Sequence, residues 1–542
     1  MIFGKSCLCV AAVGVICHAQ ALDFRPEDWP CGTGPRYDAG RRLVETGCGW
    51  RGKSVSVEDN LKALEEDALP PEAVENVIRF LELKGVDCAR FRKERPARSE
   101  WMGPPLTTLS GFRLGFMLDI SRDKVPTMAT LKWLVDLLAR LGYNEFQLYT
   151  EHAFAYARHE TVWRGCSPMT VSEIQELDDY CHVRGIRLMP NQNSFGHLEK
   201  WFAHPEYLML AEKTNGTYTV SGHPTLIDRP SAALCPTDPR SAAFLEGLYA
   251  ELLPNFRHAD VINVGCDETW DVFDVAGRSA DAVKAKGVGR VYLSHLMTVR
   301  EQAAKQGFRI AYWADMVLFF PEILKDVPKD AVALFWNYGD ESQSPGLTAE
   351  CEGSAAALEA EGLDVTVCPS TQTFGWWAAD PARYMGNVRM MNRVARKFGF
   401  KGLLLTAWGD GGHRAPLLSE VPGLVYAAAQ ARGEELSERS LTEAIDKALG
   451  CEIGDVLLAV GRIDRKNAVR AAEQIRSAVA RSGGRDLTGP VTTGIETYRL
   501  AADVLSGQDK PVLKRRYCEL WLRDNRVGGL EHSVKCVFGE IK

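Results

Sequence analysis

Nowhere in this 542-residue chain do Lys and Arg gather into a dense stripe with interleaved aromatics, and the formal net charge is −7. A phosphate-tracking surface needs the opposite balance, so no nucleic-acid partner is expected. The fifteen cysteines include no C-x-x-C pair and no Cys/His spacing of the zinc type, so neither a metal nor another cofactor is expected. No apolar run is long enough to span a bilayer. Internal repeats and low-complexity tracts are missing as well. What is present is the composition of a globular protein, 46% hydrophobic and 25% charged, long enough for roughly two or three domains. Thirteen tryptophans are either packing residues or flat faces for sugar rings.

The N-terminus has a three-part pattern. One positive charge, Lys5, precedes an apolar run from Cys7 to Cys17, and Ala19-Gln20-Ala21 supplies small residues at a cleavage position. Residues 1–21 therefore read as a signal peptide, and an exported protein, periplasmic or extracellular, is expected. A lipoprotein signal fits less well, because bulky Ile16 precedes Cys17. Export permits disulfides, with Cys31 and Cys48 as the expected pair. Cys266 and Cys368, in apolar strand-like runs, are expected as buried free thiols.

From 22 to 109 the chain reads as a small α/β domain with helices over Val57–Glu66 and Pro71–Lys84, ending in the connection Gly103–Thr108. Beyond it, apolar strand candidates recur at Leu114–Leu118, Glu145–Tyr149, Ile186–Pro190, Val261–Gly265, Arg309–Trp313, Val332–Trp336, Val365–Cys368 and Gly402–Thr406. Amphipathic helices such as Thr127–Leu141, Val171–Arg184 and Ser279–Gln306 separate them. Strands alternating with helices imply parallel pairing, and this count predicts a (β/α)8 TIM barrel over 110–430. An open doubly wound sheet is the alternative, but no glycine-rich phosphate loop follows the first strand. Residues 431–542 read as a helical C-terminal domain, with helices at Leu436–Leu449, Glu452–Ala480 and Tyr498–Arg523.

Active sites of such barrels form where strands end. Asp119 and Arg122 stand at the first strand end, Glu151 and His152 at the second, and Asn191, Asn193 and His197 at the third. Asp267 and Glu268 end the fourth, Trp313 and Asp315 the fifth, and Trp336 the sixth. Trp376 and Trp377 follow the seventh, and Trp408 and Asp410 the eighth. Acids beside indoles describe a sugar pocket. Asp267 and Glu268 are its sharpest element, since neighbouring carboxylates in an apolar setting can hold different protonation states. An N-cap for the next helix is the structural alternative.

Asn263-Val264-Gly265-Cys266-Asp267-Glu268 resembles the fourth-strand signature of glycoside hydrolase family 20, the β-N-acetylhexosaminidases. Gly115–Asp119 with Arg122, Asn193–His197, Ala311–Trp313, Leu334–Trp336 and Thr406–Asp410 are similar to the family's other strand-end motifs, in order from Phe112 to Leu418. The resemblance implies a substrate-assisted retaining reaction on a glycan or glycoconjugate ending in N-acetylhexosamine. Asp267 would orient the acetamido group and Glu268 would serve as acid and base. His197 would support the pair. Trp313, Trp336, Trp377 and Trp408 would line the pocket, and Asp119, Arg122 and Asp410 would hold its polar side. Two positions depart from the family pattern. Leu114 stands where the family has an Arg, with Arg113 one residue earlier and Arg122 as a substitute. The family's Tyr for the acetamido carbonyl has two candidates, Tyr338 and Tyr384. A carboxylate nucleophile, Asp119 or Glu151, and a catalytically silent sugar-binding barrel are the rival readings. Oligomeric state is left open.

Overall fold

Eight short apolar runs form eight parallel strands: β1 (Arg113–Asp119), β2 (Glu145–Tyr149), β3 (Arg187–Met189), β4 (Val261–Asn263), β5 (Arg309–Trp313), β6 (Val332–Trp336), β7 (Asp364–Cys368) and β8 (Gly402–Ala407). Nearly every residue in them is buried, because helices cover one face and the barrel interior the other. Period-two alternation divides the side chains. Leu114, Phe116 and Leu118 pack outward under the helices, whereas Met117, Tyr149, Met189, Trp313, Leu334 and Leu404 fill the interior. The computed structural model describes residues 111–539, a small antiparallel pair of strands (Arg36–Asp38 with Leu43–Glu45) and a few isolated positions between 61 and 88. The signal segment, the Cys31–Cys48 pair, the connection at 103–108 and most of the two leading helices lie outside the described residues.

Strand order runs β3-β2-β1-β8-β7-β6-β5-β4. The ring closes between β3 and β4 through the parallel bridge Asn191–Asn263. Three backbone bonds hold that seam: Asn263 N–H to Pro190 O (2.9 Å), Gln192 N–H to Asn263 O (2.9 Å) and Ser194 N–H to Val264 O (3.0 Å). The expected (β/α)8 barrel is therefore present. Each strand is followed by a helix: α1 (Met128–Leu141), α2 (Val171–His182), α3 (Pro239–Leu252), α4 (Val288–Lys305), the short α5 (Asp315–Phe319), α6 (Leu347–Ala360), α7 (Pro381–Lys397) and α8 (Val421–Arg432). Local chemistry starts them. Thr127 caps α1, and Thr170 with Glu173 forms a reciprocal capping box on α2.

Three long helical readings are corrected. Ser279–Gln306 is split at Gly287 (φ 84°, ψ 153°), a conformation that ends Ala280–Lys286 before α4 begins. Glu452–Ala480 is two helices, α10 (Gly454–Gly461) and α11 (Ala468–Ala480), the second capped by Asn467; α9 (Glu438–Leu449) precedes them. Tyr498–Arg523 likewise divides into α12 (Gly489–Leu505) and α13 (Lys510–Asp524), with left-handed Gly507 between, and α14 (Leu530–Val537) follows. These tail helices share one continuous core with the barrel. Cys266 and Cys368 are buried free thiols, as expected. No helix among the described residues is long and apolar enough to cross a membrane.

Candidate active site

The end of β4 is bent by backbone that favours glycine. Gly265, Cys266 and Glu268 have φ of 67°, 68° and 48°. A Cβ on Gly265 would lie 1.8 Å from Asn193 Oδ1, and one on Gly196 would lie 2.4 Å from the Asp267 carbonyl. Glycine is required at both places. The bend breaks the strand's alternation, so two consecutive acids meet one histidine. His197 Nε2 lies 3.2 Å from Asp267 Oδ2 and 3.8 Å from Glu268 Oε2. Neither acid caps a helix: the short turn Trp270–Phe273 that follows has no side-chain cap. Glu268 N–H donates to Asp315 Oδ2 at 3.1 Å. Asp267 Oδ1 is buried with no protein partner.

Burial alone would depress His197, but Asp267, Glu199 and Glu268 outweigh it and hold its pKa well above the ordinary value. It is therefore an imidazolium at neutral pH. Burial raises Glu268, with the charges of Asp267, Asp410 and Glu199 adding and His197 opposing. Burial also raises Asp315 well above the carboxylate range, with Asp267 and Glu268 adding and the Glu268 N–H opposing. The site thus holds a cation beneath Asp267 and carboxyls beside it whose proton affinity burial raises. That is the separation of proton affinities an acid catalyst needs.

The opposite wall is an ionic knot at the ends of β1, β2 and β8. Asp119 is fully buried and accepts from Ser121 N–H (2.8 Å) and Gly409 N–H (2.9 Å). Arg122 reaches Asp119 (3.3 Å), Glu151 (3.1 Å) and Asp410 (3.3 Å). Tyr149 donates to Glu151 at 3.0 Å, and burial pushes that carboxyl up to about 7. Arg113 is at the far end of the barrel, paired with Asp364 at the start of β7. Arg122 is the arginine at the mouth.

Between the two walls stand the indoles. Trp408 meets Tyr149 edge-on (4.7 Å between centroids, 77°) and lies 6.1 Å from Trp313. Trp336 stacks on Tyr338 (5.1 Å, 30°), whose hydroxyl accepts from Trp408 Nε1–H at 2.7 Å. Of the two candidate tyrosines, only Tyr338 joins this group; Tyr384 is buried on α7 against Tyr426. Trp377 is a correction. Its side chain is buried edge-on against Tyr517 of α13 rather than brought to the mouth, because the tail helices cover its loop. Trp376 lies under Arg465. Tyr149 was legible only by its inward parity on β2, and Gln372, which donates to the Tyr338 carbonyl at 2.8 Å, left no signal in the sequence. Among the described residues, two sets of potential metal ligands do meet in space, Asp123–His152–Cys166 and Asp178–Asp179–His258. In the first, Asp123 already binds His152 (2.8 Å) and Lys200 (3.0 Å), and that lysine opposes a second cation.

Comparison with known proteins places this geometry in a class. Residues 111–371 match the family model of glycosyl hydrolase family 20, catalytic domain. The chain is 23% identical over 219 residues to Hexosaminidase D of Homo sapiens, covering 39% of this chain and 42% of that one. It is 21% identical over 225 residues to Hexosaminidase D of Bos taurus, covering 40% and 60%. The chain thus spans about half the length of these curated relatives. Flavobacterium johnsoniae chitobiase shares the fold, with a TM-score of 0.50 at 19% identity over 68% of this chain and 56% of that one.

Proposed function

We propose that the protein is an exported exo-β-N-acetylhexosaminidase, removing terminal β-linked N-acetylglucosamine or N-acetylgalactosamine with the substrate's own acetamido oxygen as nucleophile. One observation carries the reading. Asp267 and Glu268 converge on His197 at the mouth of a closed barrel, and a buried Asp267 oxygen there lacks any protein partner. That oxygen accepts the acetamido N–H and turns the carbonyl oxygen toward the anomeric carbon. As the new C–O bond forms, the glycosidic bond breaks and Glu268 gives its proton to the leaving oxygen. Water then attacks the oxazolinium ion from the leaving-group side, Glu268 recovers a proton, and the acetamide is restored. Holding an internal nucleophile in place supplies about 7–11 kcal/mol of the barrier.

Trp313, Trp336 and Trp408 enclose the acetamido methyl and the ring face, and Tyr338 donates to the acetamido carbonyl. Arg122 and Asp410 grip the outer hydroxyls. A carboxylate nucleophile is disfavoured, because both Asp119 and Glu151 are engaged by Arg122. Export rests on the signal-like pattern of residues 1–21.

Release of aryl alcohol from the N-acetyl-β-glucosaminide and galactosaminide tests the proposal against the matching 2-hydroxy β-glucoside. The wild type should cleave only the acetamido substrates and be inhibited by an oxazoline-like thiazoline. Asp267→Asn and Glu268→Gln should each lose on the order of 10²–10⁴-fold in rate. Full activity in Asp267→Asn, or equal turnover of the 2-hydroxy glycoside, refutes the mechanism.

A further inference from the structure

The family match ends at residue 371, yet the far tail lies on the loops that carry the ionic knot. Between α13 and α14 the chain runs back over the barrel mouth. Thr127 N–H donates to Asp524 O (2.9 Å), Arg526 N–H donates to Val125 O (2.8 Å), and Pro126 pairs with Asn525. The Arg526 side chain is 2% exposed. Its guanidinium donates to the carbonyls of Pro126 and Pro168 (both 3.0 Å) and to Glu173 Oε2 (3.0 Å), and it pairs ionically with Glu173 Oε1 at 2.9 Å. Gly528 N–H donates to Ser167 Oγ at 3.0 Å, and Ser533 donates to the Gly412 carbonyl. One short segment therefore binds the β1–α1, β2–α2 and β8–α8 loops together.

Lys124 completes the arrangement from the barrel side. Its buried ammonium donates to the His413 (2.9 Å) and Ala415 (2.6 Å) carbonyls and lies 5.0 Å from the Trp521 ring of α13. The three loops so joined are those that present Arg122, Glu151 and Asp410. Those side chains meet at 3.1–3.3 Å, close enough that an ångström of drift in one loop would part them.

We propose that the helical tail is a working part of the sugar grip, with Lys124 and Arg526 as positioning residues that set the spacing of Arg122, Glu151 and Asp410. This rests on the N-acetylhexosaminidase reading. Lysine at 526 keeps the charge but cannot reach all three oxygen acceptors at once, and methionine at 124 keeps the bulk but donates nothing. If the grip reads the outer hydroxyls, its loosening changes how the enzyme weighs two substrates that differ only at the 4-hydroxyl.

The test uses the full chain as wild type, Lys124→Met, Arg526→Lys and a control, Arg481→Ala, which removes a tail ion pair with Asp455 away from the loops. For each, kcat/KM is measured on aryl N-acetyl-β-glucosaminide and galactosaminide, and hydrogen exchange is followed in residues 120–127 and 408–416. Lys124→Met and Arg526→Lys should shift the ratio of the two kcat/KM values by about three- to tenfold and speed exchange in both segments. The control should do neither. Exchange as slow as in wild type overturns the proposal, and so does faster exchange with an unchanged ratio. Should the wild type turn over neither substrate, the reaction reading fails by itself. The ratio is then taken from binding of N-acetylglucosamine and N-acetylgalactosamine, and slow exchange or an unchanged binding ratio overturns the proposal as before.

Discussion

Substituting Gly265 by alanine examines the bend that brings the acids together. A Cβ there would sit 1.8 Å from Asn193 Oδ1, against ordinary contact from 3.4 Å outward. Either Asn193 or the end of β4 must then move by roughly 1.5 Å, in an interior packed like a crystal. Overpacking of this kind costs about 1–3 kcal/mol, and a left-handed alanine adds about 1–2 kcal/mol. Misplacement near 1 Å costs on the order of 10²-fold in rate. Gly265→Ala should therefore unfold at lower temperature by calorimetry and lose on the order of 10²-fold or more in kcat/KM on the aryl N-acetylglucosaminide. Adding Asn193→Ala removes the obstructing amide, whose polar atoms have no protein partner, and should recover part of the stability. A folded Gly265→Ala with kcat/KM within about twofold of wild type would refute the steric account of the bend.

Three further outcomes are expected. Replacing His197 by Gln removes the cation that favours ionised Glu268, so Glu268 should hold its proton to higher pH and the basic limb of kcat/KM should move alkaline; an unmoved or acid-shifted limb contradicts the assignment. Burial pulls His295 down to about 4, with its ring N–H on the Ser194 carbonyl. The unfolded chain therefore takes up this proton first, so the contribution is complete above about pH 6.5 and is lost as pH falls toward 4. Urea unfolding across that window should show His295→Gln sparing roughly 3 kcal/mol of the wild-type decline, and parallel curves would disprove it. If residues 1–21 are a signal peptide, mass spectrometry of the protein from its own cells should find Asp23 near a mature N-terminus that begins after Ala21, and a retained Met1–Ala21 peptide would reject the signal reading.

The barrel was legible because its strands are buried on both faces and so read as unbroken apolar runs such as Gly402–Ala407. Asp267 and Glu268 were legible because glycine and two acids at a strand end serve no ordinary strand. What escaped were facts of distant contact. Arg113 and Arg122 differ in their surroundings because one lies at the start of β1 and the other beyond its end. Trp376 and Trp377 look like a pocket wall until Tyr517 and Arg465, more than 80 positions later, are seen to claim them. The tail helices read as overlong because short polar turns such as Ser506–Asp509 interrupt an apolar face without ending its period.

The seam between β3 and β4 closes the cylinder at the very place where Asn193 and Gly265 touch. The chemistry is thus staged across that seam, and a sheet in which β3 and β4 stand apart, however rich in native strands, has no reaction centre. Recovery of turnover during refolding would then require this seam to be joined, whatever the helical signal has regained.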